Sequence, residues 1–206
     1  MSLGPLVIVG AGGHAKVIIS TARAVGYTQL RLVDDDRTLH GSRVCGLIVE
    51  EGVAEVLADS SANVVLAIGS NATRLAKART AGCQFAALVH PFTFVDSSAQ
   101  IGPGSVVFAG AVVQPDSVLG RHVIINTAAS VDHDCFIGDG CHIAPGARLA
   151  GSVVLEEGVL IGAGAALVPS IRVGASATVG AGACVIRDVA AATTVVGVPA
   201  RVISKS

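Results

Sequence analysis

The stretch IGPGSV-VFAGAV-VQPDSV-LGRHVI-INTAAS-VDHDCF-IGDGCH, residues 101–142, decides the fold once it is cut into sixes. The cut continues both ways. Val89 and Val95 precede it, and Ile143, Leu149, Leu155, Ile161, Leu167, Val173, Val179 and Val185 follow at the same spacing. Every first position is aliphatic. Four residues on lies a mostly small residue, such as Ala99, Ser105, Ala111, Ser117, Ala129, Cys135, Cys141 and Ala147. Glycine often follows the aliphatic residue directly, as at Gly102, Gly120, Gly138, Gly162, Gly174 and Gly180. A period of six fits neither the 3.6 of an amphipathic helix nor the 2.0 of an ordinary strand. It fits a parallel β-solenoid, in which a short strand and a tight corner repeat. Three strands per turn make an 18-residue triangular coil, and coils stack at the roughly 4.8 Å spacing of any sheet. The aliphatic residues then fill the prism, and the small ones sit where its corners narrow.

The chain ahead of the repeat reads differently. Leu6 to Val9 is a short apolar run ending in Gly10-Ala-Gly-Gly-His-Ala-Lys16. A helical stretch follows, with Val17, Ile18, Thr21, Ala22 and Val25 on one face and Gly26 as its stop. Leu30 to Val33 leads into Asp34-Asp35-Asp36, and Val64 to Ile68 leads into Gly69-Ser70-Asn71 and a helix over 72–81. Phe85 to Val89 reads as a strand that hands the chain to the solenoid. Strand, Gly-rich turn, helix, strand is a βαβ unit. The expected architecture is an α/β, Rossmann-like mini-domain over residues 1–88 followed by a parallel β-helix over 89–206. Ligands bind open parallel sheets at the carboxyl ends of their strands. Gly12-Gly13-His14, Asp34-Asp35 and Gly69 lie there. A domain this short lacks both halves of a dinucleotide fold, so a mononucleotide handle is expected rather than NAD.

Composition narrows the classes. Half of the 206 residues are hydrophobic, yet 3% are aromatic and Trp is absent, which suits narrow regular coils. A net charge of −1 gives no electrostatic case for nucleic acid or an anionic membrane. No apolar run reaches a membrane-spanning length. The N-terminus lacks a basic region with a cleavage site. Five cysteines without a C-x-x-C pair suit reduced thiols, so a cytoplasmic location is expected.

Chemistry concentrates in residues 126–151. Solenoid register turns 131, 135, 137, 141 and 143 inward, leaving Asp132, His133, Asp134 and His142 at corners or on outer faces. An outward imidazole flanked by two carboxylates is a candidate general base. Gly151 stands 18 residues after His133, one coil along the axis. A glycine amide there is an unblocked donor for a developing oxyanion. His142 is half a coil away on another face, so it joins this site only if a neighbouring subunit supplies it. Asn126 is a further outward polar residue. Cys135 and Cys141 point inward, against a covalent role for either thiol.

The hexads resemble those of the hexapeptide-repeat acyltransferases, which implies a left-handed parallel β-helix. V-G-A-G-G-H-A-K, L-V-D-D-D, A-I-G-S-N, V-H-P and then the hexads together resemble the bacterial sugar N/O-acetyltransferases of the NeuD/PglD type, over essentially the whole chain. That resemblance implies acetyl-CoA as co-substrate, a UDP- or GDP-linked amino sugar as acceptor, no metal, and a homotrimer with acetyl-CoA between adjacent β-helices. V-D-H-D-C matches the family's catalytic motif, making His133 the base and Asp134 its orienting partner. Gly151 matches the glycine whose amide contacts the acetyl carbonyl. His142 would contact the thioester or CoA, and Asn126 the sugar side. Gly12, Gly13, His14 and Lys16 would face phosphates or ribose, Asp34 and Asp35 base or ribose, and Gly69 the same crevice. The backbone at Ile161, Gly162 and Gly180 would line the pantetheine groove. Gly197-Val-Pro-Ala-Arg201 matches a common ending that puts Pro199 and Arg201 by the pantetheine arm and phosphates. Competing readings are O-acetylation of a sugar hydroxyl, a γ-carbonic-anhydrase-like zinc protein using His122, His133 and His142, and a non-catalytic scaffold.

Overall fold

A computed structural model describes residues 3–203 as an α/β module followed by a parallel β-helix. The module comprises β1 (Leu6–Val9), α1 (Gly13–Val25), β2 (Leu30–Val33), β3 (Arg43–Val44), β4 (Leu47–Glu50), α2 (Val53–Ala58), β5 (Asn63–Leu66), α3 (Asn71–Thr80) and β6 (Gln84–Phe85). These strands form one sheet in the order β3-β4-β2-β1-β5-β6, parallel except for the β3–β4 hairpin. β1 is buried along its whole length, as a central parallel strand covered on both faces must be. Gly26 ends α1 in the left-handed conformation, its N–H returning to Ala22 and Arg23.

Two expectations need correction. The buried stripe of α1 is Ala15, Ile18, Ile19, Thr21 and Ala22, while Val17 faces out. The helix packs on the sheet and on the prism at once, which rotates the stripe toward Ile19. The run from Phe85 to Val89 is not one strand: β6 closes the α/β sheet, and Leu88–Val89 opens the solenoid.

In the β-helix, two-residue strands pair in parallel with strands 18 residues on, as Val113 with Val131 and Ile137 with Leu155. Three faces result. One carries Val106–Val107, Ile124–Ile125, His142–Ile143 and Leu160–Ile161. The second carries Ser130–Val131 and Arg148–Leu149, and the third Phe136–Ile137 and Val154–Leu155. The prism interior is the aliphatic ladder with its small corner residues, Cys135 and Cys141 among them. The hexad hides a third regularity. Every sixth residue from Gly104 to Gly182 has positive φ, whether it is Gly, Asp116, His122, Ala128, Asp134 or a serine. Each corner needs one left-handed residue, which Gly takes freely and Asp tolerates better than most. The glycines after the aliphatic residues answer a different need. A Cβ on Gly138 would lie 2.8 Å from the Glu156 carbonyl carbon of the next coil. The final coil is short: Val179 pairs with Val195, and the antiparallel pair Thr194–Val196 with Arg201–Val202 closes the prism.

The two parts share a core. Leu88, Val106, Phe108 and Ile124 turn outward from the first face and pack with Ile8, Ala15, Ile18 and Ile19. The crevice at the carboxyl edge of the α/β sheet is thereby held against that face.

Candidate active site

His133 and Gly151 meet as the 18-residue register requires. The Ser152 N–H donates to the His133 carbonyl at 2.9 Å, so the two corners stack directly. An added Cβ on Gly151 would lie 2.5 Å from Cε1 and 2.6 Å from Nε2 of His133: the imidazole rests on the glycine. Among the described residues the Gly151 N–H donates no hydrogen bond. His133 Nδ1 is 2.7 Å from Asp134 Oδ2, and Asp134 occupies the left-handed corner with φ 58°. That bond puts a proton on Nδ1 and leaves Nε2, the nitrogen over Gly151, free to accept one. The hydrogen bond to Asp134 outweighs the small desolvation of the ring and raises the His133 pKa above its ordinary value, with Asp132 adding to the effect. The ring is 57% exposed, open to a substrate or another protomer. An oriented imidazole beside a free amide donor can act as base and oxyanion donor, the components that acyl transfer needs.

A second polar cluster forms where α1 and the turn after β5 meet the first face. Asn126 Oδ1 accepts from Thr127 N at 2.8 Å, and its Nδ2 donates to His142 Nε2 at 3.0 Å. His14 lies 6.3 Å from His142, ring centre to ring centre, and edge-on to Phe108 at 5.4 Å. Its Nε2 is buried without a hydrogen-bond partner among the described residues. Burial, aided by the Arg74 charge, pulls both His14 and His142 down to about 4, so both rings are neutral near pH 7. His142 lines a cavity of about 490 Å³ with Gly69, Ser70, Asn71, Leu75, Leu160 and Thr178. His14 thus sits at the junction with the β-helix, beside Phe108 and His142.

Those carboxylates border another cavity, of about 200 Å³, with Gly10, Ile68, Thr73 and Lys77. Asp34 accepts from the Ala11 N–H at 2.6 Å and from the Asp36 N–H at 2.8 Å, bracing the Gly-rich turn. Asp35 pairs with Lys77. Gly69 lies on the His142 side of the turn rather than in this cavity. Gly10 is glycine for internal reasons, with φ 107° and the Ala67 carbonyl oxygen 2.9 Å from an added Cβ. Gly12, Gly13 and Gly69 have open space around an added Cβ, so no packing contact among the described residues demands them. Lys16 is exposed on α1.

The remaining residues lie apart. Ile161 is sealed inside the prism, so only its backbone reaches a groove. Coil stacking alone accounts for Gly162, whose Cβ would meet Ala181 N at 2.5 Å, and Gly180 abuts Val196. Arg201 borders a cavity of about 260 Å³ with Arg187 and Asp188 at the closed end. Pro199 lies in the same terminal turn. His122 is buried under Phe85 at 4.4 Å, and neither ring nitrogen has a hydrogen-bond partner among the described residues. No group of three His, Cys, Asp or Glu side chains among the described residues could hold a metal ion. No helix among them is long and apolar enough to cross a membrane. Arg74, Asn71, Thr73 and Lys77 escaped the sequence reading, because charged and polar residues on a short helix read as a solvated face.

A parallel β-helix bearing this imidazole, carboxylate and glycine amide, joined to an α/β module, defines an acyltransferase of the hexapeptide-repeat class. Comparison with known proteins narrows that class. The PglD N-terminal domain model matches residues 5–81. PerB from Caulobacter crescentus, solved with CoA and GDP-perosamine, is 38% identical, with 98% of each chain covered and a TM-score of 0.89. The acetyltransferase domain of PglB from Neisseria gonorrhoeae is 40% identical, over 97% of this chain and 99% of that one, with a TM-score of 0.90. It has also been solved with acetyl coenzyme A. The UDP-N-acetylbacillosamine N-acetyltransferase of Bacillus subtilis is 40% identical over 108 residues, so the match spans half of each chain. The chain belongs to the PglD-type family of sugar N-acetyltransferases.

Proposed function

We propose that this enzyme transfers the acetyl group of acetyl-CoA to the amine of a UDP- or GDP-linked amino sugar, in the cytoplasm, for bacterial surface-glycan or glycoprotein biosynthesis. The observation that carries the reading is the His133 imidazole resting on Gly151 with its Nδ1 bonded to Asp134. The relatives support the amine and both substrates: PerB was solved with CoA and GDP-perosamine, and the Bacillus protein is named for a UDP-sugar N-acetyltransferase.

His133 Nε2 takes the amine proton as the nitrogen attacks the thioester carbonyl. The Gly151 N–H donates to the tetrahedral oxyanion, and CoA leaves as thiolate. Asp134 holds the ring in the accepting tautomer and stabilises the imidazolium that forms. Alignment of two bound substrates supplies up to about 7–11 kcal/mol in favourable intramolecular analogues. The base contributes about 10²–10⁴-fold. Cys135 and Cys141 take no part: burial pushes their thiols up to about 11 and about 12.

The division near residue 88 separates the work. The α/β module holds the nucleotide through Gly12, Gly13, Lys16, Asp34 and Asp35, and the β-helix holds acetyl-CoA. His133 lies at a corner after the second face, whereas His14, Asn126 and His142 cluster on the first. One chain cannot bring these groups together. A homotrimer can, with one protomer's His133 facing the His142 cluster of the next and acetyl-CoA between them, along Gly162, Gly180, Pro199 and Arg201. Incubating UDP- and GDP-linked amino sugars with acetyl-CoA and following free thiol release tests the reaction. Turnover with at least one of them, lost in His133→Ala, is expected; full turnover by His133→Ala refutes the assignment. Light scattering reads the assembly, and a monomer with full activity refutes the shared site.

A further inference from the structure

Arg74 is the largest fully buried side chain of the described residues, 1% exposed, and no carboxylate pairs with it among them. Its donors go to neutral oxygens. Nε donates to the His122 carbonyl at 2.9 Å, Nη1 to the Ile68 carbonyl at 2.8 Å, and Nη2 to the Gly140 carbonyl at 2.8 Å and Asn71 Oδ1 at 2.9 Å. Burial draws its pKa down only to about 10, so the guanidinium stays charged at neutral pH. A buried cation without a counter-ion costs several kcal/mol of desolvation, on the order of what one broken buried pair costs. Packing alone gives no reason to keep it, since a Met or Leu would fill the space.

What the carbonyls have in common is their position. His122 and Gly140 are left-handed corners one coil apart on the same edge of the prism. Asn71, whose oxygen Arg74 holds, donates from Nδ2 to the carbonyls of Gly158 and Val159, at 3.0 and 3.1 Å, on the next coil. Leu75 completes the seat, pressing on Gly140 where an added Cβ would lie 2.5 Å from its Cγ. Arg74 and Asn71 thus read three consecutive corners, at 122, 140 and 158. The Ile68 carbonyl on the same guanidinium belongs to the turn after β5. That turn separates the Asp34 cavity, bordered by Ile68, from the His142 cavity, bordered by Gly69 and Ser70.

We propose that Arg74 is a positioning residue for acetyl transfer, fixing the nucleotide crevice against the prism edge in one register so that the sugar amine reaches the acetyl group. A slip of one coil would displace the crevice by roughly 4.8 Å, and a misplacement near 1 Å suffices to cost about 10²-fold in rate. The ionisable groups that feel the guanidinium are His14 on α1, His122 at its corner, and Cys141 and His142 on the prism; its charge helps keep the three histidines neutral.

The kinetic arm rests on the reaction proposed above. Arg74→Met and Arg74→Lys are compared with wild type in kcat per folded molecule and in separate equilibrium affinities for CoA and for UDP or GDP. The expected result is a fall in kcat of about 10²-fold for Met and about tenfold for Lys, with each affinity within about threefold. A kcat per folded molecule unchanged in both variants, or a loss explained wholly by weaker binding of one substrate, overturns the proposal. Where Arg74→Met does not fold, Arg74→Lys and Asn71→Ala carry the same comparison. A second arm needs no turnover. Nucleoside diphosphate should shift the His142 Cε1–H resonance in wild type and leave it still in Arg74→Lys. Equal shifts in both overturn the proposal. A wild-type enzyme inactive on every amino sugar would refute the reaction and leave this arm to decide the role of Arg74.

Discussion

Gly151→Ala separates catalysis from stability more cleanly than any other single change. Its φ is outside the left-handed region, so alanine is allowed on the backbone. The three atoms nearest the new Cβ all belong to the imidazole of His133, with Cε1 at 2.5 Å and Nε2 at 2.6 Å. Ordinary contact between such atoms is about 3.5–4.0 Å, so the ring must move by about 1 Å or more. It can, because the ring is 57% exposed on its own chain. Stability therefore changes little: the cost of rotating an exposed ring is offset by the roughly 0.4–1 kcal/mol that alanine gains by restricting the unfolded chain. The melting temperature stays within about 2–4 °C of wild type.

Catalysis has no such tolerance. The rotated ring leaves both the Asp134 carboxylate and the position over the 151 amide. A displaced base forfeits about 10²–10⁴-fold, and kcat for thiol release should fall in that range with KM for acetyl-CoA moving far less. Gly138→Ala is the matched control. Its Cβ would press on the next coil's backbone at 2.8 to 3.0 Å, against Glu156 C, Glu157 N and Leu155 O, which cannot swing aside. Overpacking of that kind costs about 1–3 kcal/mol, which at about 2–4 °C per kcal/mol for a chain of this size lowers the melting temperature by roughly 2–12 °C while kcat per folded molecule is kept. If Gly151→Ala retains kcat within threefold of wild type, or melts as early as Gly138→Ala, the stacking of base on amide is not what drives the reaction.

Asp134→Asn removes the carboxylate charge behind the hydrogen bond that raises the His133 pKa. The base acts unprotonated, so the acidic limb of kcat/KM should move to lower pH as the plateau falls about 10- to 100-fold; an unmoved limb would separate Asp134 from the base. His14, His122 and His142 sit near 4 when folded, below the ordinary 6.5, chiefly through burial. Their contribution is complete above pH 6.5 and is lost as the pH falls toward 4, because the unfolded chain then binds protons the folded one excludes. Urea unfolding at pH 7 and pH 5 should differ by roughly 1–2 kcal/mol per histidine, and equal stabilities would show that these rings are not held neutral. Asp34→Ala frees the Ala11 and Asp36 amides. Calorimetry should show affinity for UDP or GDP at least tenfold lower and a fold about 1–2 kcal/mol weaker; unchanged affinity for both would move the nucleotide site elsewhere.

The β-helix was legible because its physics is periodic. One residue in six must be aliphatic to fill a narrow prism, and no accident of long-range packing shifts that register, so the pairing of Val113 with Val131 and the stacking of Gly151 under His133 follow from counting alone. The α/β module lacked that protection. Its β3–β4 hairpin and α2 carry no strong pattern, and the buried stripe of α1 was misread because Ile19 and Val17 exchange roles once a second surface, the prism, competes for the helix. The site divides along the same line. His133, Asp134 and Gly151 are related by one coil and could be placed from sequence. His14 sits beside His142 only because two folds dock, and no spacing in the chain encodes the 6.3 Å between them. Arg74 was the least legible residue of all, since its partners are main-chain carbonyls at 68, 122 and 140 that have no sequence identity to read. A repeat protein therefore announces the chemistry mounted on its repeats and hides the device that aligns a second module against them.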